Sequence, residues 1–171
     1  MLLNLIVFVA TATATFYLKR YYEKIKRLPT PTNVMRELRK IEPFLQITQN
    51  SNESEVETQL ATKLIKFFPT VSTQYQIGGS KNARERVDID VGNGQVGIEI
   101  KLARLLKKSN ERNRLLGQID LYRERKYKNK NLLVLIVGEK KEEKEENIIE
   151  LKKILADKGV SWLYLYIHQD N

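Results

Sequence analysis

Asp88, Glu99 and Lys101 stand in two short alternating runs, Arg86-Val-Asp-Ile-Asp-Val91 and Val96-Gly-Ile-Glu-Ile-Lys-Leu102, on either side of Gly92-Asn93-Gly94-Gln95. Asn-Gly between two such runs signals a hairpin, because a type I′ turn needs positive φ at both central residues. With Asn93 and Gly94 at the turn centre, the numbers of paired residues sum to 187, which sets Asp88 opposite Glu99 and Arg86 opposite Lys101. Directly opposed side chains have Cβ atoms about 4.5–5.5 Å apart, near enough for two carboxylates to share one hard cation. Alternation places Val87, Ile89, Val91, Ile98, Ile100 and Leu102 on a core face and Asp88, Asp90, Glu99 and Lys101 on the other.

Two carboxylates at that separation repel unless a proton, a cation or solvent intervenes. Mg²⁺, with Mn²⁺ as its substitute, prefers oxygen ligands and keeps several waters, which suits two carboxylates and a backbone carbonyl. Asp88 and Glu99 supply the carboxylates and Ile100 the carbonyl. The Lys101 ammonium would orient an attacking water or stabilise charge developing on phosphorus. Asp90 shares the polar face, so either aspartate is a candidate ligand, and the cross-strand match to Glu99 favours Asp88.

Two flanking segments extend the pattern. Upstream, Glu57 borders an apolar stripe of helical spacing through Leu60, Leu64, Phe67 and Phe68. It also reads as the last residue of a capping box that begins at Ser54, which leaves Glu53 as its substitute at a site. Downstream, Gln118 and Tyr122 are four residues apart on one helix face, with Arg114 one turn earlier.

The ordered set of an acidic helix, Asp88 followed by Glu99-Ile100-Lys101, and Gln118…Tyr122 resembles the PD-(D/E)xK nuclease superfamily with its QxxxY element. The resemblance implies a restriction-endonuclease-like α/β fold with a mixed sheet flanked by helices, and a helical glutamate, here Glu57, that faces the metal site. It implies catalytic roles for Asp88, Glu99, Lys101, Glu57, Gln118 and Tyr122, and hydrolysis of DNA phosphodiester bonds with Mg²⁺. The chain departs from the pattern at one point: Val87, not proline, precedes the aspartate.

The charge balance suits such a substrate. Net charge is +9, and residues 101–130 hold eleven Lys/Arg against three Asp/Glu. A cation-rich flank gathers a phosphate backbone, and Lys107, Lys108, Arg112 and Arg114 join Gln118 and Tyr122 as candidate nucleic-acid contacts. Residues 139–157 run the other way, seven acidic to five basic, and read as a solvated loop and helix start. With no cysteine, a disulfide scaffold, a thiolate metal site and a thiol nucleophile are all excluded. The single histidine, His168, lies near the C-terminus beyond any candidate partner and reads as exposed.

Residues 2–18 are apolar apart from Asn4 and a Thr-Ala alternation, and a basic stretch follows at 19–27. Residues 1–18 therefore read as a single transmembrane anchor, with the basic flank and the C-terminal domain cytoplasmic. A cleaved signal is the rival reading, although it lacks a basic segment before the apolar run. Residues 19–50 read as a juxtamembrane basic connector with a short helix capped by Thr32, and residues 51–171 as the nuclease-like domain.

Within that domain the pattern predicts helix at 54–68, strand at 73–77, a turn at 78–80, the hairpin, and helix at 110–127. Strand at 132–137, helix at 147–158 ended by Gly159, and strand at 160–167 complete the order αβββαβαβ. DNA and the membrane are the expected partners, with RNA and a second copy of the chain left open and no small-molecule cofactor implied. The competing readings are a catalytically silent, membrane-anchored module of the same fold that binds nucleic acid or a partner, and an interaction protein whose basic patches meet anionic lipid.

Overall fold

The computed structural model describes residues 28–77, 85–128 and 131–167. The expected membrane anchor, its basic flank at 19–27, the turn at 78–80 and His168 lie outside them. Among the described residues no helix is long and apolar enough to cross a membrane.

The chain forms a mixed α/β fold. Helix α1 (Pro31–Ile41) is followed by a short 3₁₀ turn, α2 (Glu53–Leu64), β1 (Val71–Gln76), β2 (Arg86–Val91), β3 (Val96–Leu102) and α3 (Ser109–Arg125). Then come β4 (Leu132–Gly138), a second 3₁₀ turn, α4 (Glu146–Asp157) and β5 (Ser161–Tyr166). From α2 onward this is the expected αβββαβαβ order. The five strands lie side by side in sequence order. Strands β1, β2 and β3 pair antiparallel, and β3, β4 and β5 parallel.

Each sheet face carries its own core. On one side α1 and α2 bring Val34, Leu38, Val56 and Leu60 onto Ile98, Ile100, Leu133, Leu135 and Leu165. On the other, α3 and α4 bring Leu115, Ile119, Ile148 and Leu151 onto Val134, Ile136 and Tyr164. Strand β4, covered on both faces, is apolar throughout, as a central parallel strand must be.

Helix α1 begins at Pro31, and the Thr30 hydroxyl, not that of Thr32, accepts the Asn33 N–H at 3.2 Å. Proline at the first helical position forfeits only an N–H that had no partner there. Val34, Leu38, Ile41, Leu45 and Ile47 are buried in the first core. The folded unit therefore includes the helix that the sequence reading placed in a connector.

The hairpin keeps its expected register near the loop, where Ile89 pairs with Ile98, Asp90 with Gly97 and Val91 with Val96, but the expected Asp88–Glu99 and Arg86–Lys101 pairs are not formed. Gly92, Asn93 and Gly94 all have positive φ, so the loop spans four residues and not two.

Pairing of β2 with β3 stops at Ile89–Ile98. On the far side of β2, the β1 register skips Gln74 opposite Asp88 and resumes at Tyr75–Val87. Gln74 has φ +48°, a left-handed conformation rare for this residue type. The two strands exchange faces at this level. Val71 and Ile89 pack in the first core, whereas Tyr75 and Val87 pack in the second. Val87 therefore does not share a face with Ile89, contrary to the strict alternation expected of β2.

Candidate active site

Where β2 parts from β3, acidic groups from three elements gather around Lys101. The Ile100 N–H, left without a β2 carbonyl, donates to Asp88 Oδ2 at 2.7 Å. A carboxylate thus takes the place of a ladder acceptor and satisfies a backbone donor that burial would otherwise penalise. Lys101 Nζ donates to Glu99 Oε1 at 2.8 Å and to the Ile100 carbonyl at 2.9 Å. Glu53, in the first turn of α2, brings Oε2 to 3.5 Å from the same ammonium, and its Oε1 accepts the Leu102 N–H at 3.4 Å.

Glu57, one turn further along α2, accepts from Gln74 Nε2 at 2.7 Å. The capping box belongs to Asn52 and Glu55, so Glu57 is released from the role that the sequence reading offered it. Glu53 thus reaches Lys101 directly, whereas Glu57 meets Gln74.

Burial dominates the electrostatics. Glu99 is 1 % exposed, and desolvation pushes its carboxyl up to about 7 despite the neighbouring Lys101. Desolvation likewise raises Asp88 and Glu57. Burial would lower Lys101, but Glu99, Glu53 and Asp88 together outweigh it and raise the amine. Lys101 is therefore an ammonium at neutral pH, suited to holding an anion and not to taking a proton.

The residues fit a hard cation. The donors are oxygens only, the carboxylates outnumber the ammonium, and Glu99 Oε2 is buried without a hydrogen-bond partner. Among the described residues no three His, Cys, Asp or Glu side chains close into a ready-made cage. Two carboxylates and a carbonyl match Mg²⁺, which retains much of its water.

Asp90 is engaged elsewhere. It is fully buried, accepts the Tyr127 hydroxyl at 2.7 Å, and receives the Gly94 N–H at 2.9 and 2.8 Å on its two oxygens. It holds the hairpin loop shut.

The Gln118–Tyr122 pair lies next to the site but acts through the fold. The Tyr122 hydroxyl donates to the Arg86 carbonyl at 2.7 Å and accepts from Gln118 Nε2 at 3.3 Å, which pins the start of β2 to α3. Burial, then the charges of Glu99 and Asp88, raise Tyr122 and keep it a neutral phenol. Gln118 Oε1 is a second buried acceptor with no partner.

The basic flank divides. Lys107 is held by Glu145 at 2.9 Å and Glu142 at 3.6 Å, and Arg112 caps the Leu106 and Lys107 carbonyls at 2.8 and 3.0 Å. Both are engaged by groups of the chain itself. Arg114 touches Glu111 at 3.4 Å but is largely exposed and close enough to act on Tyr122, and Lys108 is exposed at the start of α3. In the acidic run expected to be solvated, Glu139 and Glu142 are buried, the latter accepting the Glu139 N–H at 2.9 Å.

Compared with protein-family models, curated proteins and solved structures, the chain matches none of them.

Gln74 carried no sequence signal. It looks like an ordinary strand residue, and only its backbone conformation, its bond to Glu57 and its place opposite Asp88 single it out.

Proposed function

We propose that the chain is a divalent-metal-dependent nuclease of restriction-endonuclease-like fold that hydrolyses DNA phosphodiester bonds, tethered by residues 1–18 to the cytoplasmic face of a membrane. The observation that carries this reading is the meeting of Asp88, Glu99, the Ile100 carbonyl and Lys101 at the parting of β2 and β3, with Glu99 Oε2 buried and unpartnered. The order of strands and helices around that point supports it.

Asp88, Glu99 and the Ile100 carbonyl would hold Mg²⁺ or Mn²⁺, which polarises a phosphoryl oxygen and activates water when bound. Lys101, charged and anchored by Glu53 as well as Glu99, stabilises the negative charge that builds on the phosphate. Glu57 acts through Gln74 and has no direct part in the chemistry. Lys108 and Arg114 draw in the phosphate backbone, which makes binding salt-dependent.

One observation favours a second reading, a silent nucleic-acid-binding module: Lys101 already neutralises Glu99 and covers the Ile100 carbonyl. Cleavage of labelled DNA by the full chain with Mg²⁺ or Mn²⁺ separates the two. Hydrolysis that is lost in D88N and E99Q supports the nuclease. Salt-sensitive binding without any cutting, kept in the D88N/E99Q double variant, supports the silent module.

A further inference from the structure

Gln74 combines three properties that packing does not explain. It is exposed at the edge strand, its φ is +48°, and it stands opposite Asp88 with its side-chain amide bonded to Glu57. A left-handed backbone costs free energy for any residue with a Cβ, and it persists where surrounding interactions enforce it, often at functional sites. Here the enforcement is visible. Glu57, fixed on α2, accepts the Gln74 side-chain amide at 2.7 Å, and charge-assisted bonds of this kind are the strong ones. On the neighbouring strand Gln74 faces Asp88, near enough to favour its charged form.

The distortion has a consequence in β2. At this level both strands exchange faces, β2 leaves β3, and the Asp88 carboxylate takes the Ile100 N–H. An undistorted Gln74 would let the ladder run on, with Asp88 as an ordinary cross-strand neighbour of Glu99.

We propose that Gln74 is a positioning residue: clamped by Glu57, it turns Asp88 out of the ladder and holds its carboxylate on the Ile100 N–H, aimed at the cation site. The link to a cation rests on the function proposed above, whereas the hold on Asp88 does not. Glu57 thereby gains its own role, as the anchor on α2 that fixes Gln74.

The test compares the full chain with Q74G and Q74N by thermal unfolding, by amide exchange of Ile100 without metal, and by Mn²⁺ titration. Glycine and asparagine both tolerate positive φ, but neither spans Glu57 and Asp88. Both variants are expected to stay folded with a lower melting temperature, to exchange the Ile100 amide at least about 10-fold faster with Ile98 unchanged, and to bind Mn²⁺ about 10-fold more weakly, the usual loss for a residue that orients a ligand. Unchanged Ile100 exchange in Q74G overturns the proposal. So does faster exchange with unchanged Mn²⁺ affinity, because Asp88 then needs no aiming. A parent chain that binds no Mn²⁺ defeats the nuclease reading, and Ile100 exchange then judges the hold on Asp88 separately.

Discussion

Replacing Glu99 by glutamine removes a buried charge whose cost depends on pH, and the structure sets both the sign and the size of the effect. Burial raises this carboxyl from its ordinary 4.5 to about 7. Below pH 4.5 the folded and unfolded chains both hold the proton, and above 7 neither does. Between those limits only the folded chain holds it, so the metal-free protein loses stability as pH rises. At about 1.4 kcal/mol for each tenfold change in proton affinity, the loss comes to about 3 kcal/mol. For a domain of this size that is on the order of 10 °C in melting temperature. Glu99→Gln abolishes this component. Lys101, held charged well above neutrality, contributes only a constant offset over the same range. Melting curves in EDTA from pH 4.5 to 8 should therefore show the parent falling relative to Glu99→Gln by about 10 °C, and Mn²⁺ should restore the parent alone at pH 8. A gap between the two proteins that stays constant with pH would refute the reasoning.

Three further outcomes follow from the contacts. Asp90→Ala strands the Tyr127 hydroxyl and the Gly94 N–H, so it should cost about 2 kcal/mol or more in denaturant unfolding yet leave Mn²⁺ affinity intact. Tyr122→Phe loses the bond to the Arg86 carbonyl and should lower stability by about 1 kcal/mol, with DNA affinity by fluorescence polarisation unchanged. Lys108→Ala should reduce the salt slope of DNA binding by about 1, whereas Lys107→Ala, already occupied by Glu145 and Glu142, should leave it unchanged.

Much of the architecture was legible because local chemistry and global pattern agree. Asn93-Gly94 set the hairpin register, and the apolar run of β4 announced a strand covered on both faces. Glu99 and Lys101 were readable because β3 keeps its alternation through the site. What escaped was non-local. Nothing near Gln74 foretells a left-handed turn, since the force that holds it comes from Glu57 on α2. The face exchange of Val87 and the end of the β2–β3 ladder fall at the level of that single residue. Helix α1 was assigned to a connector because its apolar positions alone do not say which surface they will meet. Tyr122 resembled a substrate contact because sequence spacing shows which residues share a helix face, not that the hydroxyl ends on the Arg86 carbonyl.

Anomalous scattering from crystals soaked in Mn²⁺ tests the central claim most directly. One site is expected, bounded by the carboxylates of Asp88 and Glu99 and the Ile100 carbonyl, with Lys101 Nζ moved off Glu99 toward Glu53. Crystals that take up Mn²⁺ elsewhere, or none at all, with Lys101 still bonded to Glu99 and Ile100, would contradict it.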